Sequence, residues 1–194
     1  MTKRLLAAGI FACALTAQNP TCSKCSATFV SNDEIQAYLK RGPAGVNNSV
    51  LDQQVRALDI GKAHVDIGVV YRNGTQSAGS AVAEHDQVSE VYHILDGSAT
   101  LVTGSDIVGW QRRPADDRAV RLLNGPGGNG ASIRNGATYQ LKAGDVIVIP
   151  AGVGHWFTKV DDHIRYLMIR IDPDKITPLK DEAASKADLA GTAQ

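Results

Sequence analysis

With 20 lysines and arginines set against 20 aspartates and glutamates, the 194-residue chain carries no net formal charge, and so lacks the electrostatic footprint a nucleic-acid surface requires. Aromatic residues make up 5% of it, too few for a base-stacking platform. A hydrophobic fraction of 43% over this length predicts one domain with a sizeable core.

The chain opens as an export signal over residues 1–17: Lys3-Arg4 form a basic start, Leu5 to Leu15 an apolar run, and Ala12, Ala14 and Ala17 a small-residue cleavage region. An amphiphilic or disordered start is the other reading. The run is shorter than the ~20 residues a spanning helix needs, so export to the periplasm or medium is expected, without stable membrane insertion. Ile10-Phe11-Ala12-Cys13 loosely resembles a lipoprotein box, which Phe11 fits poorly. Cys22 and Cys25 form a C-x-x-C in a polar segment with no further zinc ligands nearby. They read as a local disulfide or two uninvolved thiols, and removal of the signal would leave an even number, as suits an oxidising compartment.

Residues 18–49 form an N-terminal extension. Within it Ser31-Asn-Asp-Glu34 has the form of a capping box, predicting a short helix through Lys40 that stops at Gly42-Pro43. From Val50 the period changes to two. Strands are predicted over 54–60 and 63–72, with Val65, Ile67 and Val69 on one face, His64, Asp66 and Gly68 on the other, and Asn73-Gly74 closing the second. His64 reads as a strand-surface or interface residue. Strands over 88–95 and 99–103 follow, separated by the turn dipeptide Asp96-Gly97.

Regularity then fails from Gly104 to Gly136. This insertion is expected to form a mobile rim or lid rather than barrel core, its glycines and lack of sustained alternation arguing against burial. Arg112, Arg113, Arg118 and Arg121 could meet an anionic substrate there, or be balanced by Asp116 and Asp117 in a solvated loop. Gly125-Pro-Gly-Gly-Asn-Gly130 matches G-x-G-x-x-G in form, but Pro126 lies inside it and no helix pattern follows, so it is not read as a dinucleotide site. Residues 146–149 predict a buried strand, Pro150-Ala151-Gly152 a turn, and 164–171 a last strand ended by Asp172-Pro173. The tail, 173–194, is polar and alanine-rich, and either forms a short helix near 180–189 or frays.

Two stretches carry chemistry. In the first, His85 is followed after four residues by Glu90 and after six more by Gly97; in the second, Gly144, Pro150, Gly152 and His155 are separated by five, one and two residues. A carboxylate within an apolar strand needs a partner, and a divalent cation is the strongest available. These stretches resemble the two motifs of the cupin superfamily. The match departs at Ala83, where the family has a histidine, at Ser77 in place of the leading glycine, and at Lys159 in place of the closing asparagine.

The resemblance implies an all-β fold: a single cupin-type barrel or jelly roll over 50–172, with a short N-terminal helix and a loose C-terminal tail. It implies that His85, Glu90 and His155 bind a divalent ion, Fe, Mn, Zn or Ni. Two histidines and one carboxylate leave up to three open positions, suited to oxygenase, lyase or isomerase chemistry on a small molecule. The alternatives are a non-catalytic small-ligand-binding barrel, or a site decayed at Ala83 in which the histidines are merely satisfied polar groups. Glu84 and His93 alternate away from the site. Tyr92 and Tyr139 are the candidate catalytic groups beyond the ligands. Each motif occurs once, so one barrel per chain is expected, and a homodimer is left open.

Overall fold

The computed structural model describes residues 26–41, 50–74 and 81–191. The signal read over 1–17, Cys13, the Cys22 and Cys25 pair, the Gly42-Pro43 stop and Ser77 lie outside the described residues.

Helix α1 (Asn32–Lys40) starts at the predicted cap, where Ser31 Oγ accepts the Glu34 N–H at 3.1 Å. The Glu34 carboxylate turns to Arg56 at 3.0 Å, so the capping box is one-sided. The strands that follow are β1 (Val50–Asp59), β2 (His64–Asn73), β3 (Val82–His85), β4 (Ser89–Gly104), β5 (Ile107–Val108), β6 (Gln111–Arg112), β7 (Gly127–Gly130), β8 (Ser132–Ile133), β9 (Ala137–Lys142), β10 (Val146–Ile149) and β11 (Gly154–Asp172). A π-type turn spans Val120–Asn124, and α2 (Glu182–Leu189) closes the described chain. All strand pairings among the described residues are antiparallel, and the architecture is all-β, a single barrel of the jelly-roll kind.

The frame is the long antiparallel pair of β4 and β11, which runs from Gly154 opposite Gly104 to Ile171 opposite Ser89, with register shifts at Phe157/Lys159, Val160/Ile164 and Arg165/Tyr166. On its other edge β11 pairs with β2, and β2 with β1, while β4 also carries β9 and β10. Tyr92, Ile94, Leu101, Phe157, Ile164, Tyr166 and Met168 alternate inward from the two long strands and form the core. A second cluster packs Tyr38 and Leu39 of α1 on Val55 and Val69, outside the barrel.

Several expectations change here. Asp96-Gly97 does not end a strand: Gly97 (φ +79°) is a bend within continuous β4, and an added Cβ would lie 2.0 Å from His163 O. In β10, only Ile149 is fully buried. Val146 and Val148 are 61% and 60% exposed, because they pair with His93 and Val91 on the outward face of β4. His64 is buried rather than on the surface, with Nδ1 2.9 Å from Thr177 O. The face it shares with Asp66 and Gly68 turns inward, where Arg170, fully buried, meets Asp52 and Gln54. The C-terminal tail is docked, not loose. Lys180 bridges to Ala57, Ser185 is fully buried, and Asp188 binds Arg41 and Lys180.

The largest correction concerns 104–136, which is not a mobile lid. β7 is paired with β3 on one side and β6 on the other, and Leu123, Asn124, Gly125, Gly127, Gly128 and Gly130 are buried. Alternation was no guide because glycine permits burial by backbone contact. A Cβ on Gly127 would lie 2.2 Å from Glu84 O, and one on Gly128 would lie 2.2 Å from the Trp110 indole.

Candidate metal centre

His85 ends β3, Glu90 lies at the start of β4 and His155 at the start of β11. Two backbone contacts explain why the motifs meet. The Gly152 N–H donates to His85 O at 2.7 Å, and the Ala151 N–H donates to Ser89 Oγ at 3.0 Å, so the Pro150-Ala151-Gly152 turn is pinned on the first motif. Gly152 adopts φ +76°, which favours glycine. Across the ladder Glu90 pairs with Ile149 and Arg170, and His155 with Ala83.

The three side chains converge, with one candidate ligand atom from each lying within 4.8 Å of the others, and all three residues are buried. His85 Nε2 is 3.4 Å from Glu90 Oε1, and His155 Nε2 is 3.5 Å from Glu90 Oε2. These separations are long for charge-assisted hydrogen bonds. They are close to the roughly 3 Å between donors that share one ion at ~2.1 Å bonds. The donor set therefore fits a divalent metal.

Electrostatics agree. Burial would raise the Glu90 carboxyl, but His85, His155 and Arg170 outweigh it and hold the group well below the usual carboxylate range. Burial pushes His155 down to about 4 against the pull of Glu90, so the ring is neutral, as a ligand must be. Its Nδ1 lies 3.3 Å from Val153 O. With the proton there, Nε2 is left as a lone pair facing Glu90. The Tyr92 phenol, raised well above its ordinary value by burial and the Glu90 charge, stays protonated and donates to Glu90 Oε2 at 2.6 Å. Arg170 Nε stands 3.6 Å from Oε1.

The centre opens on a cavity of about 60 Å3 whose wall includes Ala83, Met168, Arg72, Arg113, Asn124, Tyr166 and Asp52, besides the three residues and Tyr92. That is room for a few waters or a very small molecule. A larger hollow of about 600 Å3 lies between residues 26–31 and Asp181-Glu182. Its acids are engaged, Glu34 with Arg56 and Glu182 with Lys186. The smaller cavity is therefore the chemically equipped one.

Other candidates separate cleanly. Tyr139, 41% exposed on β9, does not line the cavity, so it is not placed to act there. Glu84 accepts from Trp110 Nε1 at 3.1 Å and His93 is exposed. Among the arginines of the insertion, Arg113 lines the cavity, 3.3 Å from His85 Nδ1, whereas Arg112 pairs with Asp86 and Arg118 and Arg121 are exposed. Sequence reasoning missed Asn124, Arg72, Tyr166, Asp52 and Arg170. Arg72 and Arg170 sit at regular inward positions of alternating strands, a signal that was available. Asn124 gave none.

Residues 127–190, about a third of the chain, match the family model of the AraC-like ligand binding domain. No curated protein matches the sequence. Among solved structures, the chain is similar to an uncharacterized conserved protein with a double-stranded beta-helix domain from Klebsiella pneumoniae, at 15% identity over 80% of this chain and 99% of that one, with a TM-score of 0.45. It is also similar to the DMSP lyase DddQ from Ruegeria pomeroyi, at 16% identity over 71% of this chain and 55% of that one, TM-score 0.41. A third is a putative mannose-6-phosphate isomerase from Ralstonia eutropha, at 17% identity over 67% and 90% of the two chains, TM-score 0.40. Likenesses at this level carry no argument about activity.

Proposed function

We propose, from the premise that the chain is a single-domain barrel of the cupin type, that it holds a divalent transition metal on His85, Glu90 and His155 and acts on a small anionic molecule. The observation that carries this is the buried convergence of two histidines and an ionised carboxylate on one small cavity. When bound, the metal would supply a Lewis acid with open positions.

The chain's own residues do the rest. Tyr92 and Arg170 fix Glu90 from two sides, and Val153 O holds the His155 ring in the ligating tautomer. Arg72 and Arg113 bring guanidinium charge to the cavity wall, the chemistry that receives a carboxylate or phosphate group. Tyr166, pushed up to about 12 by burial, accepts from Arg72 Nε at 2.9 Å and keeps its own proton for donation. Oxygenase, lyase and isomerase reactions all fit this equipment.

The second reading is a non-catalytic barrel that captures a small molecule, and the match to a ligand-binding domain family favours it. Elemental analysis of purified protein followed by turnover assays with small carboxylates and phosphates, each metal restored in turn, separates the two. Bound metal with turnover is the expected result. Bound ligand without turnover under any metal would establish the second reading, and protein free of divalent metal after reconstitution would overturn the first. Export is proposed with the enzyme, on the Lys3-Arg4 and Leu5 to Leu15 pattern. Intact Met1 on cytoplasmic protein would remove it.

A further inference from the structure

Ala83, which stands where the cupin motif has a histidine, lines the metal cavity and pairs with His155, so a ligand position faces the cavity without a donor. We propose that Asn124 fills it, supplying its side-chain carbonyl oxygen as the fourth protein ligand. This rests on the metal reading above and extends it to a residue outside both motifs.

Four observations converge. Asn124 is 7% exposed and lines the same cavity as Ala83, His85, Glu90 and His155. Its amide end lies 3.2 Å from His85 Nε2, a spacing like the 3.4 and 3.5 Å that separate the histidine nitrogens from Glu90. Its Oδ1 is buried with no hydrogen-bond partner among the described residues. An amide with its nitrogen toward Nε2 would present a donor, not a ligand atom, to an ion held there. Turning the amide over, a change that exchanges two nearly indistinguishable atoms, sets the oxygen beside Nε2 at the cavity, where an ion shared with His85 would be its partner.

The backbone holds Asn124 in place for this. It ends the π-type turn Val120–Asn124, Leu123 beside it is buried, and Gly125 follows at φ +65° against Ile176. Pro126 O then accepts the Asp86 N–H at 3.0 Å, tying the segment to the residue after His85. The chemical consequence is a set of two imidazoles and two oxygens. Replacing an imidazole by a carbonyl moves the preference from soft toward hard ions, so Mn(II) or Fe(II) should be favoured over Ni(II) or Zn(II) relative to a three-histidine site.

The test uses full-length protein loaded with Mn(II), comparing wild type, Asn124→Ala, the near-isosteric Asn124→Asp, His85→Ala and the double variant Asn124→Ala/Ala83→His. Affinity is read by titration, and the number of water ligands by water-proton relaxation, with melting curves as the check on folding. Asn124→Ala is expected to weaken binding by roughly ten- to hundredfold and to gain one water ligand. Asn124→Asp should keep both values near wild type, and the double variant should regain affinity. Wild-type affinity and hydration in Asn124→Ala, with metal lost from His85→Ala, would overturn the inference and leave the metal reading standing. Weaker binding without an added water would also overturn it, because Asn124 would then only orient His85. Retention of metal by His85→Ala, or no binding of Mn(II), Fe(II), Ni(II) or Zn(II) by wild type, would remove the metal reading and this inference together.

Discussion

Adding one methyl group at Gly127 tests whether the segment between the motifs belongs to the barrel. Gly127 opposes His85 in the β3–β7 ladder, and its Cβ would lie 2.2 Å from Glu84 O and 3.0 Å from His85 Cα. Both are backbone atoms, so no side chain can swing aside, and β7 must move off β3. Overpacking of this kind typically costs roughly 1–3 kcal/mol, which for a chain of this size lowers Tm by about 2–4 °C per kcal/mol. Because the clash bears on His85, metal affinity should fall as well. Gly74→Ala is the control: its φ of +68° is unfavourable for alanine, but nothing lies within 4 Å of the added carbon. Thermal melts of metal-free protein and Mn(II) titrations of both variants give the answer. Equal Tm and equal affinity in the two variants would mean that 104–136 is a rim after all, and the account of β7 would be wrong.

Arg170→Met should destabilise metal-free protein by roughly 3–5 kcal/mol in a denaturant melt, because it leaves the buried Glu90 without the cation 3.6 Å away and also strips Asp52 of its partner. A loss under about 1 kcal/mol would show that another group neutralises Glu90. Acid should weaken the metal-free fold in a defined window. With His155 depressed to about 4 in the folded state and near 6.5 when unfolded, the unfolded chain binds the extra proton as pH falls between these values, so stability drops by about 3 kcal/mol across that window. The depressed Glu90 acts in the same direction, its contribution being lost below its unfolded value near 4.3; denaturant melts that are flat from pH 7 to 4 would contradict the His155 account, and melts that stay flat below pH 4 the Glu90 one. His64→Ala should lower stability by roughly 1–3 kcal/mol without loss of metal, whereas His93→Ala should change neither, as melts and metal analysis will show; metal loss from His64→Ala would place His64 in the site.

The parts legible in the sequence were those with a local signature. The Ser31 cap, the period-two strands after Val50 and the positive-φ turn at Gly152 each follow from a few neighbouring residues. Two spacings, His85 to Gly97 and Gly144 to His155, were enough to select the three residues that the fold brings together. The bend at Gly97 was misread because Asp-Gly is a turn dipeptide by local preference. In the fold it is overridden by pairing with a 19-residue strand on the other side. Val146 and Val148 were misread because strand hydrophobicity alone does not say which of two apolar faces turns inward. That is decided by register, with Ile149 opposite Glu90 and Val148 opposite Val91.

The glycine-rich insertion failed for a different reason, and it bears most on function. Side-chain periodicity reports burial of side chains, and β7 has almost none to report: Gly127, Gly128 and Gly130 are buried through their backbones against Glu84, Trp110 and Ile107. That close approach is what carries the preceding turn down to the cavity, where Asn124 stands beside His85 and Arg113 beside both His85 and Asn129. A site stripped of function at Ala83 would gain nothing from a glutamate buried against Arg170, since such charges are retained at an energetic cost that apolar packing would avoid. Tyr92 at 2.6 Å from Glu90 and Val153 O behind His155 hold the two groups in the protonation states a metal requires. If Asn124 supplies a ligand, the alanine is space made for it, and it is the insertion that carries Asn124 and Arg113 to the cavity beside the two motifs.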